Sequence, residues 1–165
     1  MAILGAGRED NGIKGFSLIE MLTVLAIIAI LLMIAPSMFS AFRQRTNLRE
    51  AAGALAEDMK LAKQRAVAEN VNYSITFNIN NNNYTMNQYD SNGNMINPPI
   101  KTVNLSNFGN GITINSQNFA GNTVTFQPRG TCSAGTITLQ NSLNSTIAIT
   151  TNLMGRITIG TVTIP

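Results

Sequence analysis

The sequence predicts an α+β fold. One long N-terminal helix, with a transmembrane half and an amphipathic half, packs on an antiparallel β-sheet head. Three observations predict it. An almost unbroken apolar run extends from Met21 to Phe42. Leu48, Ala52, Leu55, Met59, Ala62 and Ala66 then recur at alternating spacings of four and three, a helical period. After Asn70 the period becomes two: Tyr73, Ile75, Phe77 and Ile79 alternate with polar residues, as in a half-buried strand.

Residues 1–15 are short and polar, with Arg8, Glu9, Asp10 and Lys14. A secretory signal peptide places its apolar region before the cleavage site. Here the apolar region follows Gly15, so a cut at Gly15–Phe16 would remove only the polar leader. The run from Met21 to Phe42 matches the roughly 20 residues that cross a hydrocarbon core about 30 Å thick. Thr23 and Ser37 are mild interruptions that a helix tolerates. A chain of 165 residues has room for one modest domain plus an anchor, and no core large enough to hide such a helix on every side. Residues 16–42 therefore read as a single transmembrane helix. Pro36 lacks the N–H that would bond to Leu32, which predicts a kink or a locally meltable turn.

The helix continues over 43–70 without a proline and with one glycine, Gly53. Arg43, Arg45, Arg49, Glu50, Glu57, Asp58, Lys60, Lys63, Arg65 and Glu69 mostly fall off the apolar stripe and read as a solvated face. One continuous helix from Leu18 to Asn70 would be about 80 Å long. Alanines within the stripe permit close approach to a sheet.

Residues 71–165 form the head. Asn80–Asn83 reads as a turn, with Tyr84, Met86 and Gln88 starting the return strand. Ser91–Lys101, with Gly93, Pro98 and Pro99, reads as a loop. Alternating runs follow at Ile112–Ile114, Val124–Phe126, Ile137–Leu139, Ile147–Ile149 and Ile157–Ile164, for seven or eight short antiparallel strands whose apolar face covers the stalk.

Composition narrows the chemistry. The net charge is +3, too mild to argue for a nucleic-acid partner by itself. There is no histidine and a single cysteine, so neither a zinc cluster nor a Ser-His or Cys-His pair can be built. Asp90 is the only acidic residue beyond the helix, which denies the head a pair of catalytic carboxylates. Cys132 reads as a small half-buried residue. An intermolecular bridge or reactive thiol is the alternative.

Lys14-Gly15-Phe16-Ser17-Leu18-Ile19-Glu20, ahead of a membrane-length apolar run, resembles the processing site of type IV pilins and type II secretion pseudopilins. The resemblance implies a pilin-like fold, cleavage at Gly15–Phe16 by a prepilin peptidase and N-methylation of Phe16. It also implies a bacterial inner-membrane protein with its N-terminus in the cytoplasm and its head periplasmic or extracellular. Charge alone does not give that orientation, because Arg43, Arg45 and Arg49 follow the span. Implied partners are the lipid bilayer, the peptidase, an inner-membrane assembly platform and other pilin or pseudopilin subunits. No cofactor is implied.

Glu20 has two readings. Ser17 and Glu20 have the S-x-x-E spacing of a capping box. In a filament core the carboxylate would instead pair with the Phe16 amine of a neighbouring subunit, since a lone buried charge is costly. Three further stretches are similar to the GspH/FimT family of minor pseudopilins: Leu55–Val67 running into the strand at 72–78, Phe126-Gln127-Pro128-Arg129-Gly130, and Gly155-Arg156-Ile157. Some FimT-like proteins bind DNA through a Gly-Arg-x-Arg motif. Gly155 and Arg156 match it, Thr158 replaces the second arginine, and Arg129 is the other candidate contact. A DNA-binding minor pilin is thus the alternative function.

Overall fold

The computed structural model describes residues 15–96 and 98–165, and the side chains of these except 34–38. Residues 1–14 of the leader expected at 1–15 lie outside the described residues, as does the side chain of Pro36, where the sequence predicts a kink. The chain divides into two compact units, 1–38 and 39–165. The helix α1 (Leu18–Glu69) begins in the first and ends in the second. It stops where the sequence predicts. Asn70 takes the left-handed conformation, φ 56°, which a short polar side chain tolerates better than most.

Among the described residues, no helix is long and apolar enough to cross a membrane. From Met21 to Met33 the side chains are nevertheless exposed on all faces and, Thr23 apart, apolar.

Among the described residues, eight strands follow α1: β1 (Tyr73–Asn78), β2 (Asn83–Gln88), β3 (Lys101–Asn104), β4 (Thr113–Gln117), β5 (Thr123–Phe126), β6 (Gly135–Gln140), β7 (Thr146–Thr151) and β8 (Ile157–Ile159). The number agrees with the sequence reading, but the strands form two sheets instead of one. Their orders are β3-β2-β1-β5 and β4-β6-β7-β8, with every pairing antiparallel. The hairpin β1–β2 places Tyr73, Ile75 and Phe77 opposite Gln88, Met86 and Tyr84. The sequence missed β3, reading Lys101 as the end of a loop. Only Val103 of that strand is buried, so it has no alternating signature. The terminal run is shorter than expected. After Ile159 the chain keeps to the sheet through the Gly160 N–H, which donates to the Ala148 carbonyl at 2.8 Å, and through a bridge between Thr163 and Thr146.

One core joins the helix to both sheets. The stripe residues Leu48, Ala52, Leu55, Met59, Ala62 and Ala66 are fully buried, with Ala51 and Ala56 widening it. The first sheet contributes Tyr73, Ile75, Phe77, Tyr84, Met86, Val124 and Phe126; the second contributes Ile114, Ile137, Leu139, Ile147 and Ile149.

The expectation that the helix charges form a solvated face fails at Asp58. This residue is buried, with its carboxylate accepting from the Tyr84 hydroxyl at 2.7 Å and from Lys101 Nζ at 2.7 and 2.8 Å. Position 58 lies one turn from both Leu55 and Ala62, on the flank of the stripe. A buried carboxylate there requires partners, and β2 and β3 supply them. Burial and the adjacent carboxylate push the Tyr84 hydroxyl far above the usual tyrosine range.

Candidate functional site

The N-terminal motif is built on the first turns of α1. Residues 15–17 precede the helix, and the N–H groups of Glu20 and Met21 donate to the Ser17 carbonyl at 3.0 and 3.2 Å. Among the described residues, no side-chain bond closes a capping box between Ser17 and Glu20. The Glu20 side chain is exposed and lies with Phe16, Met21, Val24, Leu25 and Ile28 on one face of the first unit. The carboxylate thus stands on an otherwise apolar surface. Thr23, the other polar side chain nearby, is satisfied within the helix: its hydroxyl donates to the Glu20 carbonyl at 2.8 Å. A Cβ added at Gly15 would meet nothing within 4 Å, so neither packing nor a positive φ demands glycine there. Phe16 is 82% exposed.

In the head, the structure brings together the three stretches singled out in the sequence. Lys63, near the end of the stalk, donates to the Gly155 carbonyl at 2.9 Å. Gly155 has φ +72°, and a Cβ on it would lie 2.1 Å from the Gly130 carbonyl oxygen. Only glycine fits there, on conformational and steric grounds together. The turn at Gly155 is closed by Gly155 N–H donating to the Asn152 carbonyl at 2.9 Å and by Arg156 N–H donating to Asn152 Oδ1 at 2.9 Å. Cys132 is buried beside it, its thiol donating to the Asn152 carbonyl at 3.2 Å, and burial raises its pKa. The intimate contact at this crossing is one that no local pattern in the sequence encodes.

Arg156 and Arg129 lie next in sequence to the two glycines, and both are exposed. Lys101, the third basic residue of the head, is engaged by Asp58. Two arginines on adjoining turns give little of the multiple phosphate neutralisation that DNA affinity requires. Among the described residues, no group of three or more His, Cys, Asp or Glu side chains is placed to hold a metal ion.

A second anchorage secures the helix end. The Tyr73 hydroxyl and the Gln88 side-chain amide both donate to Glu69 Oε2, at 2.6 and 2.8 Å. Burial, then the Glu69 carboxylate, raise the Tyr73 pKa.

Comparison with known families and structures agrees with this geometry. Residues 51–155 match the family described as type II transport protein GspH, and residues 10–36 match the prokaryotic N-terminal methylation motif. Among solved structures, the chain is similar to the minor pseudopilin EpsH from the type 2 secretion system of Vibrio cholerae. The TM-score is 0.57 at 10% identity, over 69% of this chain and 96% of that one. It is also similar to the type IV minor pilin FimU of Pseudomonas aeruginosa. There the TM-score is 0.58 at 19% identity, over 73% of this chain and 92% of that one. Comparison with curated proteins gives no match.

Proposed function

The chain belongs to the GspH family of type II transport proteins, and from that premise we propose how its N-terminal motif is used. The chain is a minor pseudopilin or minor pilin, a subunit built to assemble with others of its kind. The single observation that carries the proposal is the carboxylate of Glu20 on an exposed apolar helix, just after the Gly15–Phe16 junction.

A prepilin peptidase of the inner membrane cuts between Gly15 and Phe16, and the new amine on Phe16 is methylated. The helix then spans the bilayer, its apolar faces covered by lipid. Assembly exchanges lipid for neighbouring helices, as an inner-membrane platform lifts the subunit out. Glu20 is costly to bury alone in that dry bundle, so a subunit docks stably only where its carboxylate meets a partner's Phe16 amine. The head is displayed beyond the membrane. The role is mechanical, with no bond in a substrate broken, and it serves secretion or pilus biogenesis. DNA binding is not favoured: Thr158 stands where a second arginine would be needed, and Lys101 is engaged.

The test is the intact mass and N-terminal sequence of the protein from membranes of a host with prepilin peptidase. The expected product begins at methylated Phe16. An uncut chain, in a host that processes a control pilin, would falsify the reading.

A further inference from the structure

The first turns of the head-bound part of α1 carry three arginines, Arg43, Arg45 and Arg49, immediately after the apolar run that ends at Phe42. On the orientation proposed above they lie on the far side of the membrane, where arginines oppose the usual charge bias. They therefore call for a local role. The structure separates them. At helical spacing, Arg43 and Asn47 lie on one flank of the buried Leu48–Leu55 stripe, and Arg45 and Arg49 on the other.

The Arg43 flank borders a concave site. Ser40, Arg43, Gln44, Asn47, Gly109 and Asn110 line a groove of about 290 Å³, and no carboxylate is among them. Two of its members are held in place by the head. Ser142 Oγ donates to Gln44 Oε1 at 2.6 Å. The Asn47 amide is packed so tightly on Gly109, at φ +148°, that a Cβ there would lie 2.3 Å from Asn47 Nδ2. One guanidinium and several amides around one hollow make a donor-rich cradle suited to a tetrahedral anion, because a guanidinium fork matches phosphate oxygens. Phe39 and Phe42, the last aromatic residues of the run, are 62% and 64% exposed and stand just before the groove in sequence.

We propose that this groove seats the phosphodiester of a membrane phospholipid at the surface from which the head emerges, with Arg43 as its principal contact. The inference rests on the membrane reading above. The seat fixes how deep the unassembled subunit sits, and the lipid is released when the subunit is lifted into a filament.

The experiment uses the full-length chain, reconstituted in phosphatidylcholine vesicles containing phosphatidylglycerol and extracted in mild detergent. Native mass spectrometry then counts retained phospholipid. The wild type is expected to retain one phospholipid. Arg43→Gln should reduce retention roughly tenfold, the effect of losing one charge-assisted hydrogen bond. Arg43→Lys should recover only part, because an ammonium lacks the fork. Arg49→Gln removes an equal charge from the other flank and should leave retention nearly unchanged. Equal losses in Arg43→Gln and Arg49→Gln would mean diffuse attraction and overturn the seat. Displacement of the lipid by millimolar inorganic phosphate would assign the groove to a free anion and overturn the lipid. An alkaline wash of the vesicles separates the two readings. A wild-type chain that washes out overturns the membrane reading, whereas one that stays but retains no phospholipid overturns this inference alone.

Discussion

The two halves of α1 meet the same requirement in opposite ways. Leu22 and Leu55 are the same residue in the same helix, yet Leu22 is 57% exposed and Leu55 is fully buried. Between Leu48 and Ala66, one face of the helix is apolar and the chain's own sheets cover it. Between Met21 and Met33, Thr23 is the one polar residue, and the large apolar side chains stand exposed. An amphipathic helix can be completed within a domain. A helix that is apolar all round needs a solvent or partners of its own kind. On the function proposed above, the first half carries the intermolecular contacts and the second half carries the stability.

The largest effect expected from this contrast is at Glu20. Glu20→Leu should lower the amount of subunit in sheared filaments tenfold or more, on the order of the loss of a buried charge partner. The denaturation midpoint of the head should stay where it was. A head that loses stability along with assembly would erase the distinction between the halves.

Paired substitutions sharpen it further. In full-length protein held in detergent, Leu55→Ala should cost the head about 2–5 kcal/mol in a denaturant titration, because it opens a cavity under both sheets. Leu22→Ala should leave that titration unchanged. Asp58→Ala should cost about 1–3 kcal/mol, since it strips the Tyr84 hydroxyl and the Lys101 ammonium of their shared acceptor. Its neighbour Glu57 is exposed, and Glu57→Ala should be close to neutral on the same assay.

The smallest expected effect concerns alkaline pH. Tyr84 has its pKa raised in the folded head, so its contribution is complete below the ordinary tyrosine value of 10.0. Above that value the unfolded chain releases the proton and the folded head does not, so stability falls as pH rises. Stability measured from pH 8 to about 11 should decline less steeply in Tyr84→Phe than in the wild type. Identical slopes would mean that Tyr84 is not the group responsible.

Much of this architecture is legible because it is written in local periods. The apolar run, the four-three spacing from Leu48 to Ala66 and the alternation at Tyr73–Phe77 each need only neighbours in sequence to be seen. The division into two sheets does not have that property: β1 pairs with β5 across a gap that includes β3 and β4. The burial of Asp58 escapes a local reading for a related reason. Its partner Lys101 is 43 residues away, on a strand with a single buried side chain. The N-terminal motif is legible because its residues, Lys14 to Glu20, are contiguous and border the apolar run. Gly155 was visible only as a letter in a motif, and its physical reason, the Gly130 carbonyl pressed against it, required the fold.

The bond from Lys63 to Gly155 also sets an order of events. Its two ends are 92 residues apart. The stalk leaves the ribosome before Gly155 does, so Lys63 cannot be fastened until the chain through Gly155 has been made and has reached the same compartment. A nascent subunit therefore waits, half-fastened, for its own tail. Synthesis through Gly155 acts as the clock for this fastening, and a chain cut short before it would leave Lys63 without its acceptor.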